Sequence, residues 1–368
     1  MTRRLGTISF GVALLCACLL IAGPAQAGKP PRNFFGVVPQ GGLGDQDFEI
    51  MGKAKVGTLR FHVNWANTNP SKGNYDWSGI DPDVRRAAEN RVRVLPFIYN
   101  TPGWVAHADG HNCADDCGAY APRSKQALDA WATFLRTAVK RYGPDGEFWA
   151  ENPSVPEVPV KAWQLWNEQN SPSFYKPKPS VKGFAKLMKA GNSAIKRVDR
   201  DAEVILGGMF GTPLGGQRPA LSAWGFLRKL YGIKGAKRTF DGVAPHPYGA
   251  QFKSKVLAQV KLFRHEMVKA HDGNASLWIT EVGWASGGAP NPLNRGLKGQ
   301  ASRLKEAFKY FVKHRKKLNI ENVDWYSWRD SSDSAAGLCE WCPDSGLLRE
   351  DFSTKPSYDA FTSFTGGS

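Results

Sequence analysis

Two glutamates stand where apolar runs end: Glu168 follows "VKAWQLWN" and Glu281 closes "SLWITE". Runs of branched and aromatic residues suit buried strands. A carboxylate at the tip of such a run costs free energy to ionise unless something compensates. Other strand-like runs end in polar or aromatic groups as well. The second carries Arg60, then His62 and Trp65; the third leads into Asn100; the sixth ends on "HPYG" with His246 and Tyr248; the last ends on "YSWRD" with Trp328. Two carboxylates facing each other across a pocket are the machinery of glycosidic bond cleavage, one giving a proton and the other attacking the anomeric carbon. Their surroundings must push the two pKa values apart, and a cation such as Arg60 would keep its neighbour ionised. Tryptophan rings offer flat apolar faces to sugars, and the chain has 13 of them. Taken singly, a strand-end glutamate is more often plain surface, and a tryptophan more often core. Falling together on the fourth and seventh of eight strands, these groups point to chemistry.

The elements that must hold them alternate along the chain. Strand-like runs are expected at 34–38, 56–63, 92–98, 160–166, 203–209, 240–246, 276–282 and 323–328. Between them lie stretches of helical period such as "SKQALDAWATFLRTAVKRYG" and "SVKGFAKLMKAGNSAIKRV", with Ser124 and Ser180 as N-caps. Eight strands each followed by a helix predict a single (β/α)8 TIM barrel, whose chemistry sits at the carboxyl ends of the strands. An open doubly wound sheet fits less well, because no glycine-rich phosphate loop follows the first strand.

Residues 1–27 read as a secretory signal: Arg3 and Arg4, an apolar centre from Phe10 to Ala22, then "AQA". Cleavage after Ala27 would leave 28–368 as the barrel domain of a secreted or envelope-associated protein, not stably inserted in the membrane. In an oxidising compartment the four remaining cysteines favour disulfides over a zinc site, with Cys113–Cys117 and Cys339–Cys342 preferred. Asp115, Asp116, Glu340 and Trp341, between these cysteines, read as an exposed rim.

The formal charge is +16, or +14 without Arg3 and Arg4. It would suit an anionic partner such as acidic polysaccharide. The lysines at helical spacing, Lys182, Lys186, Lys189, Lys196 and again Lys305, Lys309, Lys313, Lys316, read instead as a solvated outer helix face. Nucleic-acid binding would need basic residues on one face with interleaved aromatics, and is not expected.

With "WNEQN", "HPYG" and "WITEVGW" in place, the chain resembles the clan A glycoside hydrolases, most of all family 39 and its relatives, with family 5 next. The resemblance implies a retaining O-glycosyl hydrolase with Glu168 as general acid/base and Glu281 as nucleophile. It further implies that Asn167 binds the sugar hydroxyl beside the anomeric carbon, that Arg60 and Tyr248 hold Glu281, and that His246 lines the pocket. Trp328 would form the platform under the sugar. The substrate would be a polysaccharide or oligosaccharide, turned over by a monomer without metal or organic cofactor. Gln169 stands where many such enzymes have proline. A barrel that binds carbohydrate with weak turnover, or a transglycosylase on envelope polymers, is the alternative.

Overall fold

The computed structural model describes Thr2 and residues 28–114, 116–211, 221–332 and 339–368. Apart from Thr2, the expected signal segment lies outside the described residues, as does Asp115. Eight parallel strand positions close into a barrel. They are β1 (Phe35–Val38), β2 (Thr58–Asn64), β3 (Arg93–Tyr99), β4 (Ala162–Asn167), β5 (Glu203–Phe210), β6 (Gly242–Val243 resuming at Pro245–His246), β7 (Ser276–Val282) and β8 (Ile320–Tyr326). Each pairs with the next, and β8 returns to β1 with Gly36 opposite Asp324. The expected single (β/α)8 barrel is therefore present, with β6 interrupted and β8 starting and ending earlier than its apolar run suggested.

The long outer helices follow from their sequences. Ser124 caps α1 (Lys125–Tyr142) by accepting from Ala127 N at 3.2 Å, and Ser180 caps α2 (Val181–Val198) by accepting from Gly183 N at 3.1 Å. Such caps each stabilise a helix by about 1 kcal/mol. Their apolar stripes, including Trp131, Leu135, Phe184 and Leu187, are buried against the barrel. Three further helices complete that side of the wall: α3 (Ala223–Tyr231), α4 (Leu257–Lys269) and α5 (Gly296–Leu318). No helix among the described residues is long and apolar enough to cross a membrane.

Both cysteine pairs are local disulfides, Cys113–Cys117 after β3 and Cys339–Cys342 after β8. Neither bridges the two loops, so they staple the catalytic-face loops separately.

Candidate active site

The carboxyl end of β4 is conformationally unusual. Trp166 and Glu168 both occupy the left-handed region, at φ 75° and 41°. For a bulky residue that costs of order 1–3 kcal/mol and persists only where the surroundings enforce it. The Trp166 indole donates to Phe174 O at 2.7 Å, and Glu168 N donates to Gly208 O at 2.7 Å. Gln169, which stands where many of the resembling enzymes have proline, is buried and donates to Gly207 O at 3.0 Å, tying the turn to β5.

Glu281 projects from β7 into the same pocket. One oxygen of Glu168, one of Glu281 and one ring nitrogen of His246 all lie within 4.8 Å of one another. Both glutamate side chains keep 13 % of their surface exposed. Arg60 lies fully buried beneath them in the barrel, its guanidinium carbon 3.9 Å over the Phe97 ring. Its three nitrogens reach three partners: Nη1 donates to Glu281 Oε1 at 2.7 Å, Nη2 to Asn167 Oδ1 at 2.9 Å, and Nε to Gln164 Oε1 at 2.6 Å. The Tyr248 hydroxyl donates to Glu281 Oε2 at 2.7 Å.

These contacts divide the two carboxyls. Burial pushes the Glu281 carboxyl up, and the Arg60 charge and the Tyr248 and Arg60 hydrogen bonds oppose it. Burial also raises Glu168, well above the usual carboxylate range, and there the negative charge of Glu281 adds to the rise while only the Arg60 charge opposes it. The last proton in the pocket therefore resides on Glu168. Burial, then the charge of Glu281, holds the Tyr248 hydroxyl protonated as a donor.

A buried chain of hydrogen bonds also fixes the state of His246. Because Gln164 Oε1 accepts from Arg60, its Nε2 is the donor, to Leu206 O at 3.0 Å and Thr280 Oγ1 at 3.2 Å. Among the described residues the Thr280 hydroxyl then has one acceptor for its own proton, His246 Nε2 at 3.0 Å. Burial and the Arg60 charge hold the imidazole well below its ordinary pKa, so it is neutral. Its proton is accordingly on Nδ1 and is donated to Glu168 Oε1 at 2.9 Å. With Oε1 accepting, the acidic proton of Glu168 belongs on Oε2. The same three groups lie close enough to share a bound ion; with His246 neutral and donating to Glu168, the arrangement also suits an acid–base pair. β5 leaves room for the ring only because it carries Gly208, where a Cβ would sit 1.8 Å from His246 Nε2.

The structure thus gathers Glu168, Glu281, Arg60, Asn167, His246 and Tyr248 at one pocket. Trp328 does not join them. It is fully buried, two residues past the end of β8, and its indole donates to Asp47 Oδ1 at 2.9 Å, so its faces are spent on packing. The aromatic group at the end of β8 is the half-buried Tyr326, whose hydroxyl is pushed up by burial and then by the charges of Glu281 and Glu168. Trp341 also departs from expectation. Instead of standing on an exposed rim it is buried edge-on against Tyr248 and Tyr326, with ring centroids 5.0 and 5.8 Å apart. On the opposite wall Tyr99, its hydroxyl pushed up to about 12 by burial and by Glu168, and His62, pushed down to about 3 by burial and Arg60, stack at 4.5 Å. Gln164 and Thr280 escaped the sequence reading, although a lone amide inside the apolar "AWQLW" was a visible signal.

Solved structures of glycoside hydrolases share this barrel fold. A family 39 glycoside hydrolase from the gut symbiont Bacteroides cellulosilyticus is similar at TM-score 0.65 and 22% identity, over 91% of this chain and 64% of that one. Xylanase 10B from Thermotoga petrophila, solved with xylobiose, is similar at TM-score 0.63 and 17% identity, over 91% and 94% of the two chains. A family 39 enzyme from Xanthomonas axonopodis pv. citri follows at TM-score 0.63 and 17% identity, over 92% and 67%. The chain spans less than two thirds of the Bacteroides enzyme. No protein-family model matches the chain, and no curated protein does. The likeness is one of fold, the (β/α)8 barrel that the alternation of strands and helices anticipated.

Proposed function

We propose that this chain is an exported retaining O-glycosyl hydrolase acting on a polysaccharide or oligosaccharide. The observation that carries the reading is the pair of strand-end carboxyls, with oxygens within 4.8 Å, one held by Arg60 and Tyr248 and the other by a neutral His246. Retaining enzymes place their carboxyls about 5–5.5 Å apart, whereas inverting ones need about 6.5–9.5 Å to admit a water. Glu281 attacks the anomeric carbon as the bond to the leaving oxygen breaks, and Glu168 gives its Oε2 proton to that oxygen. A water then loses a proton to Glu168 and attacks the same carbon, releasing Glu281 as carboxylate. With its Oδ1 occupied by Arg60, Asn167 has its amide N–H groups left for the neighbouring sugar hydroxyl. Disulfides in both mouth loops and the signal-like residues 1–27 support export.

The test is release of sugars from a panel of polysaccharides, followed by mass spectrometry, for wild type and Glu281→Gln. Products from wild type alone support the hydrolase, and their lengths report internal or chain-end cleavage. Binding without release from any polymer would move the reading to a carbohydrate-binding barrel. Longer products than the starting chains would mark transglycosylation.

A further inference from the structure

The basic charge of this protein is not spread around the barrel. Residues 28–175 hold 16 lysines and arginines against 16 aspartates and glutamates, a net of zero. Residues 176–317 hold 28 against 8, a net of +20, and residues 318–368 hold 3 against 9, a net of −6. The middle segment contains α2, α3, α4 and α5, four successive helices of the outer ring. One continuous half of the wall therefore carries more than the whole net charge of the mature chain. The helical lysines do form a solvated outer face, as expected, but that face is concentrated on one half of the wall.

The excess is accessible and poorly neutralised. Lys305, Lys309, Lys313 and Lys316 on α5 and Lys261 on α4 are all exposed. None of them is ion-paired among the described residues; Lys196, Arg228 and Arg303 are examples that are. The helices share one field: besides burial, Lys313 and Lys317 of α5 and Lys261 of α4 all act to lower the His314 imidazole. Among the described residues the exposed large apolar side chains, Leu262, Val268 and Leu297, fall in the same segment and are aliphatic, and the aromatic rings there, such as Tyr310 and His314, are half-buried against each other.

The patch also reaches the pocket. Lys178 is exposed on the loop leaving β4, ten residues after Glu168. Lys253 and Lys255 are exposed on the helical turn Phe252–Val256 that follows β6 and leads into α4, and Gln259 Nε2 donates to both Tyr248 O and Lys255 O. The opposite lip, formed after β8, bears Glu340, Asp344, Glu350 and Asp351. A negatively charged chain seated at Glu168 and Glu281 would be repelled over β8 and attracted over β4–β6. Screening at physiological salt sets in at about 8 Å, so only a chain lying on the lysines would gain from them.

We propose that the substrate is an anionic polysaccharide, whose chain leaves the catalytic pocket over the β4–β6 loops and lies along the basic half of the barrel wall. This rests on the glycosidase reading, and its test needs no turnover. Binding to polygalacturonate, alginate, neutral xylan and duplex DNA would be measured across a salt series in the Glu281→Gln background. One variant reverses Lys305, Lys309, Lys313 and Lys316 to Glu; a second reverses Lys182, Lys186 and Lys189; a control reverses Lys53, Lys72, Lys140 and Lys161 on the neutral half. The expected result is at least a tenfold loss of affinity for one or both acidic glycans in the first two variants, with a shallower dependence on log salt and a near-unchanged control. Equal losses in all three variants, no loss in any, or tighter binding of DNA or xylan than of both acidic glycans would overturn it. A failure here leaves the carboxyl pair intact, whereas failure of the hydrolase reading would show as absence of released sugar on every polymer.

Discussion

Glu168 and Glu281 occupy equivalent ends of β4 and β7, equally exposed, yet their company differs. Glu281 meets a guanidinium and a phenol, both of which favour its ionised form. Glu168 meets one N–H from a neutral imidazole and, across the pocket, the charge of Glu281. Burial raises both carboxyls, so burial alone cannot assign their roles. The choice of partners separates them, and Arg60 separates them most directly: its guanidinium hydrogen-bonds Glu281, whereas Glu168 feels its charge without a hydrogen bond from it.

Exchange of the two roles is the largest effect to look for. With an aryl glycoside carrying a good leaving group, Glu281→Ala should lose about 10⁴-fold or more in kcat, the scale of losing an essential group. Glu168→Ala should still form the covalent intermediate from that substrate and stall at its hydrolysis. Added azide should then give a glycosyl azide of retained configuration with Glu168→Ala and of inverted configuration with Glu281→Ala, read by proton NMR. The opposite stereochemistry in the two variants would reverse the assignment.

Removing the discriminating cation comes next. Arg60→Met leaves only the Tyr248 hydrogen bond to oppose burial at Glu281, so that carboxyl rises further and its ionised fraction falls at any acidic pH. The acid limb of the kcat/KM profile should move to higher pH, with a loss of about 10²–10³-fold at the optimum, as for removal of a buried electrostatic donor. An unmoved acid limb would mean that Glu281 does not set it.

Much of this pocket was legible in the sequence because strands deliver chemistry at their ends, and the ends of β4, β6 and β7 are marked by abrupt changes of residue type. "WNE", "HPY" and "WITE" each pass from apolar to polar within two residues, so Asn167, Glu168, His246, Tyr248 and Glu281 could be placed without coordinates. The end of β8 has no such mark. "VDWYSW" stays aromatic past the last paired residue, Tyr326, so the apolar run overshoots the strand and points to Trp328 instead. Trp341 was placed on an exposed rim for a different reason: its position depends on how the loop after β8 folds back onto Tyr248, a long-range packing outcome that local pattern does not encode. The charge polarity was in the sequence throughout, but only the ring order of α2 to α5 turns a composition into a surface.

The relay to Glu168 predicts a smaller shift on the basic side. Thr280→Val keeps the shape and removes the hydroxyl that fixes the His246 tautomer. The ring can then turn a lone pair toward Glu168, which favours the protonated acid, so the basic limb of kcat/KM should move to higher pH with about a tenfold loss, near the 1.4 kcal/mol of one hydrogen bond. Thr280→Ser should restore both. Nitrogen-15 chemical shifts of His246 should show a pyrrole-type Nδ1 in wild type and a mixture in Thr280→Val; a pure Nδ1-protonated ring in both would remove Thr280 from the account.

The smallest effect on turnover, and the sharpest on the end of β8, comes from separating its two aromatics. Trp328→Phe loses the indole hydrogen bond to Asp47 and leaves a buried acceptor less satisfied, although Arg329 Nε still donates to the same Asp47 Oδ1 at 2.9 Å. It should therefore cost about 1–3 kcal/mol of stability in denaturant unfolding while KM stays within twofold. Tyr326→Ala removes a half-buried ring that faces the two carboxyls, so it should raise KM by about tenfold, one hydrogen bond or stacked ring in size, at little cost in stability beyond its lost packing. If instead KM followed Trp328 and stability followed Tyr326, the pocket would extend behind β8 toward Asp47, and the division of labour drawn from burial would be reversed.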